Sequence, residues 1–170
     1  MFNKIISIKR LRTSVIHVEI PIIMVTGQGP MEIAAHGVNL HRLKVPWLPK
    51  DVSPEILLAW INKFNIKSGW NVYLFQDAPE KKNAPDRRRK IHLLFEQHLP
   101  GVVLIDFDNP ESYLRHIASE TIHPEEKERL QANDRVAIIT DHNMPKMRGG
   151  HFAKIIRRGW VSQKSLEKYV

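Results

Sequence analysis

The sequence predicts an α/β fold, a doubly wound sheet of five parallel strands with helices on both faces. Three observations carry this. Short runs of apolar and β-branched residues alternate with stretches whose apolar positions recur at helical spacing, the signature of βαβ units. The runs are continuous rather than alternating, as in VAIIT before Asp141, which suits strands covered on both faces. Each run also gives way to a polar residue, and Thr26, Lys44, Asp77 and Asp141 would then open together on the carboxyl edge, where open α/β sheets bind ligands.

The elements follow in order. Val15 to Thr26, VIHVEIPIIMVT, is β-rich and stops at the turn GQGP. Met31 to His36 makes a short helix closed by Gly37. Leu40 to Leu43 reads as a short strand ended by VPWLPK after Lys44. Ser53, Pro54 and Glu55 open a helix, with Ile56, Leu57, Trp60, Ile61 and Phe64 on its apolar face. Ile66 to Trp70 is a turn, and Asn71 to Phe75 a strand ending at Gln76 and Asp77. Arg87 to Gln97 is a helix with Ile91, Leu94 and Phe95 inward. Val102 to Ile105 is a strand ending at Asp106, and Pro110 to Ile117 a helix. Pro124 to Gln131 is a charged, exposed helix. Arg135 to Thr140 is a strand ending at Asp141, and Gly150 to Arg158 the last helix.

Composition narrows the function classes. With 170 residues and 42% hydrophobic content, the chain can build one domain with a real core. No apolar run approaches membrane-spanning length. The opening MFNKIISIKRLRTS lacks an uninterrupted apolar stretch and a small-residue cleavage site, so it does not read as a secretory signal. Cytoplasmic localisation is the expectation. The absence of cysteine excludes disulfides and thiolate metal sites. A net charge of +8 suits an acidic partner or nucleic acid. The densest basic run, Arg87 to Lys90, falls where a helix begins, and reads as either a solvated face or a phosphate contact.

Chemistry concentrates in VAIITDHNMPKMRGG, Val136 to Gly150. A buried strand runs into a carboxylate, then turns through Asn143, Pro145 and two glycines. Such an aspartate can be a turn former or helix cap, or a reactive group at a ligand-binding edge. The residues alone leave both readings open. LIDFDNPE offers a second carboxylate pair, Asp106 and Asp108, with the acid–x–acid spacing of haloacid-dehalogenase-type phosphatases, although the usual small hydroxyl residue does not follow.

TDHNMPKMRG resembles the phosphoacceptor loop of response-regulator receiver domains. IPIIMVTGQG resembles the fourth receiver strand, and LHRLKVPWLPKDVSPEILLAWINKF the fifth strand and last helix. NVYLFQDAPE resembles the first strand with its acidic pair, and VVLIDFDNPESYLRHI the second strand and helix. The elements occur in a permuted order, strands 4-5-1-2-3 along the chain. The resemblance therefore implies one circularly permuted receiver. Residues 1–19 form a basic extension, 20–64 carry the fourth and fifth strands with their helices, and 65–70 form the junction. Residues 71–158 carry the first three strand–helix pairs, and 159–170 form a tail. A swapped homodimer is the rival arrangement.

The resemblance implies an aspartyl phosphate at Asp141, with Thr26 and Lys44 against the phosphoryl oxygens. It implies Mg²⁺ held by Asp77, Asp141 and the backbone carbonyl of Asn143, with Gln76 reaching it through water. Gln76 stands where the family has an acid, and His41 where it has an aromatic switch residue. The implied partner is a histidine kinase or histidine phosphotransfer protein. The implied chemistry is at most self-phosphorylation and dephosphorylation. The alternative is a degenerate pseudo-receiver that binds protein or nucleic acid.

Overall fold

The computed structural model describes residues 20–76, 84–113 and 135–158. Five strands are present: β1 (Ile22–Thr26), β2 (Trp47–Pro49), β3 (Asn71–Phe75), β4 (Val103–Phe107) and β5 (Val136–Thr140). The helices are α1 (Pro30–Ala35), α2 (Pro54–Lys63), α3 (Ala84–His98) and α4 (Gly149–Arg158), with a further helical turn at 110–113. All strand pairs are parallel, in the order β2-β1-β5-β3-β4. This is a doubly wound α/β sheet, compatible with a flavodoxin-like fold.

The strands alternate their side chains between two cores. Ile22, Met24, Phe75 and Ile138 pack with Ile33 of α1 and Phe152, Ala153 and Ile156 of α4. Ile23, Val25, Val72, Leu74 and Ile139 pack with Leu57 and Ile61 of α2 and Ile91, Leu94 and Phe95 of α3. Because each central strand is covered on both sides, β1 and β5 are buried at every residue, and a continuous apolar run is what such a position demands.

The chain crosses the sheet in two directions. From β1 it moves outward to β2, while β3 leads outward to β4 on the other side. The strand after β4 returns to the middle, between β3 and β1. The order therefore reverses between β3 and β5, and a crevice at the carboxyl end of that pair is where such sheets bind ligands.

Several expectations need correction. Leu40 to Leu43 is not a strand but a helical turn: the Asn39 side chain accepts the Arg42 amide, and the Leu43, Lys44 and Val45 amides bond back to Asn39, His41 and Leu40. Asparagine before a polar stretch favours this local closure over a ladder. The strand in this part of the chain is β2, Trp47–Pro49, formed by residues read as strand breakers. It is an edge strand, and an edge tolerates proline because one side of its backbone needs no ladder partner. Val103–Phe107 runs two residues further than expected, so Asp106 lies within β4 rather than at its end.

The face of α2 is formed by Leu57 and Ile61 with Trp60 and Phe64 against it, whereas Ile56 is exposed. Positions 57, 60, 61 and 64 share one stripe at helical spacing, and 56 turns off it. Ser53 occupies the N-cap position, but its hydroxyl makes no capping bond. α3 begins at Ala84 and α4 at Gly149, each earlier than expected. The basic run on α3 meets acids: Arg88 approaches Asp106 and Asp108, and Lys90 pairs with Asp86 one turn earlier. Residues 1–19, 77–83, 114–134 and 159–170 lie outside the described residues, so the expectations for the basic extension, Asp77, the helix at Pro124 to Gln131 and the tail fall there. No described helix is long and apolar enough to cross a membrane.

Candidate functional site

β5 delivers Asp141 to the carboxyl edge with its backbone still in the sheet, because its amide donates to the Phe75 carbonyl of β3 at 2.9 Å. The side chain is only 4% exposed. One carboxylate oxygen, Oδ1, accepts the Asn143 amide at 3.1 Å, an Asx turn that starts the following loop. The other, Oδ2, meets the Lys50 ammonium at 2.7 Å. Burial of a carboxylate this enclosed is offset by charged and hydrogen-bonding partners, and Asp141 has both.

Lys50 reaches Asp141 because of the β1–β2 register. Thr26 pairs with Pro49, so the next residues, Gly27 and Lys50, leave the sheet side by side. The Lys50 stem lies over Gly27, where an added Cβ would sit 3.6 Å from its Cδ. Lys44 precedes β2 at the opposite end of the strand, exposed and in the left-handed region with φ 55°. The lysine at the carboxyl edge is thus Lys50 rather than the expected Lys44, because Leu40 to Leu43 closes as a helical turn and the strand begins only at Trp47. LPKDVSPEIL carried the signal, a lysine directly after an apolar strand and ahead of a helix cap, but the two flanking prolines masked it.

Thr26 is fully buried at the end of β1, and its hydroxyl accepts the Gln28 amide at 3.4 Å. The Gln28 carbonyl accepts the Trp47 indole N–H at 2.7 Å. The β1–α1 loop is therefore tied to the edge strand by a tryptophan. His41, expected at an aromatic position, is exposed in the turn before β2. Trp47 was missed for the same reason as Lys50.

Gln76 follows β3 and is 8% exposed, and its Oε1 has no hydrogen-bond partner among the described residues. A buried carbonyl oxygen without a partner carries a desolvation cost, so it has capacity to accept from water or a cation. Asn143 is exposed at the start of the loop. Buried Glu111 faces Lys146 of the same loop across 4.0 Å.

The loop after Asp141 is tight. Met147 donates to the Pro145 carbonyl at 2.7 Å around Lys146, whose φ is 66°, a γ-turn of the strained kind. Gly149 comes so close to Asp141 that an added Cβ would fall 2.0 Å from its carbonyl oxygen and 2.8 Å from Thr140 Oγ1. At Gly150 it would fall 2.9 Å from the His142 ring and from Val38. Both glycines are thus needed for close approach.

His142 is fully buried. Its Nδ1 accepts the Gly150 amide at 3.1 Å, and its Nε2 lies 3.1 Å from His36 Nδ1. Burial, helped by the charges of His36, Arg148 and His151, pushes the His142 pKa down to about 4, against an opposing pull from Asp141. His151 is also lowered, first by burial and then by Lys154, Arg148 and His36.

The oxygen donors here, Asp141, the Gln76 amide and the Asn143 carbonyl, are hard ligands of the kind Mg²⁺ prefers, and the orphaned Gln76 oxygen fits such a group. Among the described residues no cluster of three histidine or acidic side chains could hold a metal. Asp106, the candidate of the phosphatase reading, is engaged by the His92 ring at 2.8 Å and by Arg88, on the side of β4 facing α3. No family model matches the chain, and neither a curated protein nor a solved structure matches it.

Proposed function

We propose that the protein is a circularly permuted receiver that accepts a phosphoryl group on Asp141 in two-component or phosphorelay signalling. The observation that carries this reading is the 2.7 Å contact between Lys50 and Asp141, which sets a lysine after one strand against an aspartate after another at the carboxyl edge of the sheet, as a receiver requires. The sheet order supports it. With β3 taken as first, β4 as second, β5 as third, β1 as fourth and β2 as fifth, the observed order becomes 2-1-3-4-5, the flavodoxin-like arrangement with its ligand crevice between first and third strands.

The chemistry assigned to each residue is as follows. An Asp141 oxygen attacks the phosphorus of a phosphohistidine donor, forming a P–O bond as the P–N bond breaks. The electron pair stays with the donor's ring nitrogen, which takes a proton from water. Lys50 leaves its ion pair with the carboxylate for a phosphoryl oxygen, acting as a point charge on the charge that develops there. Thr26 offers its hydroxyl to another oxygen, at the expense of the Gln28 amide it now serves. Bound Mg²⁺ would supply further charge neutralisation, held by Asp141, the Asn143 carbonyl and Gln76, with Asp77 proposed beside them.

The test is binding of beryllofluoride with Mg²⁺, a phosphoryl mimic. Spectral shifts at Thr26 and Lys50 are expected, absent in Asp141→Ala and strongly weakened in Lys50→Met. No binding at millimolar Mg²⁺ would defeat the reading.

One observation favours a second reading, a pseudo-receiver acting as a binding module. Gln76 is neutral where a metal site would use a charge, and its oxygen has no partner among the described residues. With a net charge of +8, the ligand would be an acidic protein surface or nucleic acid. Binding that falls steeply with added salt and is unaffected by Asp141→Ala would support it.

A further inference from the structure

The two ring hydrogen bonds of His142 fix its tautomer. Its Nδ1 accepts the Gly150 N–H, so in the neutral ring the proton sits on Nε2. Nε2–H then donates to His36 Nδ1 at 3.1 Å, which must in turn be unprotonated. The result is a directional chain, from the first turn of α4 through His142 to His36. The rings are nearly parallel, 11° apart.

The surroundings leave His142 little freedom. Its ring is fully buried, Gly150 lies close against it and donates to it, and it directly follows Asp141. At the other end, His36 is the C-cap of α1. That helix has six residues and buries only Ile33, so it is too short to hold itself. Its C-terminal end is held by two polar tethers, the His142–His36 bond and the bond from Lys154 of α4 to the Gly37 carbonyl at 2.8 Å.

We propose that the His142–His36 hydrogen bond is a transmission contact, carrying displacements of the Asp141 loop to the C-terminal end of α1. His142 and His36 are positioning residues here and touch no substrate. A change of state at Asp141 moves the backbone one residue from a ring that cannot slide, and the Nε2–H bond to His36 converts this into movement of α1. The proposal takes from the preceding reading only that the Asp141 carboxylate is the group that changes state.

The experiment is amide hydrogen exchange of residues 31–37 in the full chain, comparing Asp141→Asn with wild type, in the native, His36→Ala and His36→Asn backgrounds. With His36 present, Asp141→Asn should change exchange by about fivefold or more, the low end of typical coupling between sites. The effect should vanish in His36→Ala and return in His36→Asn, whose amide oxygen can accept from His142 Nε2–H. A merely structural His36 would change the basal rate but leave the response to Asp141→Asn intact. No response in the native background, or an equal one in His36→Ala, overturns the proposal. So does a ¹⁵N spectrum showing the proton of His142 on Nδ1. Because this needs no phosphoryl chemistry, it separates the two claims. If beryllofluoride fails to bind while the exchange response appears, the phosphoacceptor reading falls and the transmission contact stands. If the mimic binds and α1 responds equally without His36, the contact falls and the acceptor reading stands.

Discussion

The two faces of the sheet are built from different materials. The side covered by α2 and α3 buries aliphatic residues with Phe95, and its helices are held by apolar stripes. The side covered by α1 and α4 buries an aromatic cluster, with Phe75, Phe107, Tyr113 and Phe152 at centroid distances of 4.8 to 5.9 Å. Buried His142 is tied to that side too, bonded to Gly150 of α4 and to His36 at the end of α1. Aliphatic contacts are non-directional and tolerate repacking. Edge-to-face rings and a doubly bonded imidazole are directional. The first face therefore serves as scaffold, and the second ties the scaffold to the Asp141 loop.

The sharpest way to break this comparison is to truncate one residue on each face. Phe152→Ala removes a fully buried ring from the aromatic cluster and should cost about 3–5 kcal/mol. Ile61→Val on α2 is equally buried and should cost about 0.5–1.5 kcal/mol. Denaturant midpoints of the two variants check this. Comparable losses would mean that the faces do not differ in rigidity.

Acidification should act most strongly on the second face, through buried His142. Folding lowers the His142 pKa from 6.5 to about 4. Below the unfolded value the unfolded chain takes up a proton that the folded chain refuses, so this stability is complete above pH 6.5 and is lost as pH falls to about 4. The loss amounts to roughly 3.5 kcal/mol at most, since one pKa unit is about 1.4 kcal/mol. Thermal melts across that range should show a drop that His142→Asn flattens.

Gly149→Ala presses a methyl group into the Asp141 carbonyl and should cost about 1–3 kcal/mol as an overpacked site, with beryllofluoride affinity falling alongside stability. An equivalent change at exposed Gly37 tests something else, its φ of 75°, and should leave the loop intact. The smallest expected effect distinguishes the two lysines. Lys44→Gly relieves a left-handed non-glycine residue and should stabilise by about 0.5–1 kcal/mol, with mimic binding unchanged. Lys50→Met should strongly weaken binding and also lower the melting temperature, because it strips the buried Asp141 carboxylate of its ion-pair partner.

Much of this arrangement is legible in the chain. Buried parallel strands are short continuous apolar runs, because no face of theirs meets water, and IIMVT, NVYLF and VAIIT stand out for that reason. The turn chemistry after Asp141 is equally local: an Asx bond, a proline and two glycines define a tight loop whatever surrounds it. The edge strand is different. WLP, preceded by Pro46 and ending in Pro49, carries no local strand signal, and it becomes a strand only because β1 offers it a ladder while its other side needs none. Leu40 to Leu43 fits a strand pattern but closes on Asn39 instead.

That single choice moved the ammonium at the site from Lys44 to Lys50. The His142–His36 pair is invisible for a related reason, since its members are 106 positions apart and nothing about an isolated histidine announces its partner. Residue pattern settles which segments are apolar and where the backbone must turn. Which strand lies at the edge, and which side chains meet across the carboxyl end, depend on the order of strands in the sheet, and that order is a property of contacts between distant segments.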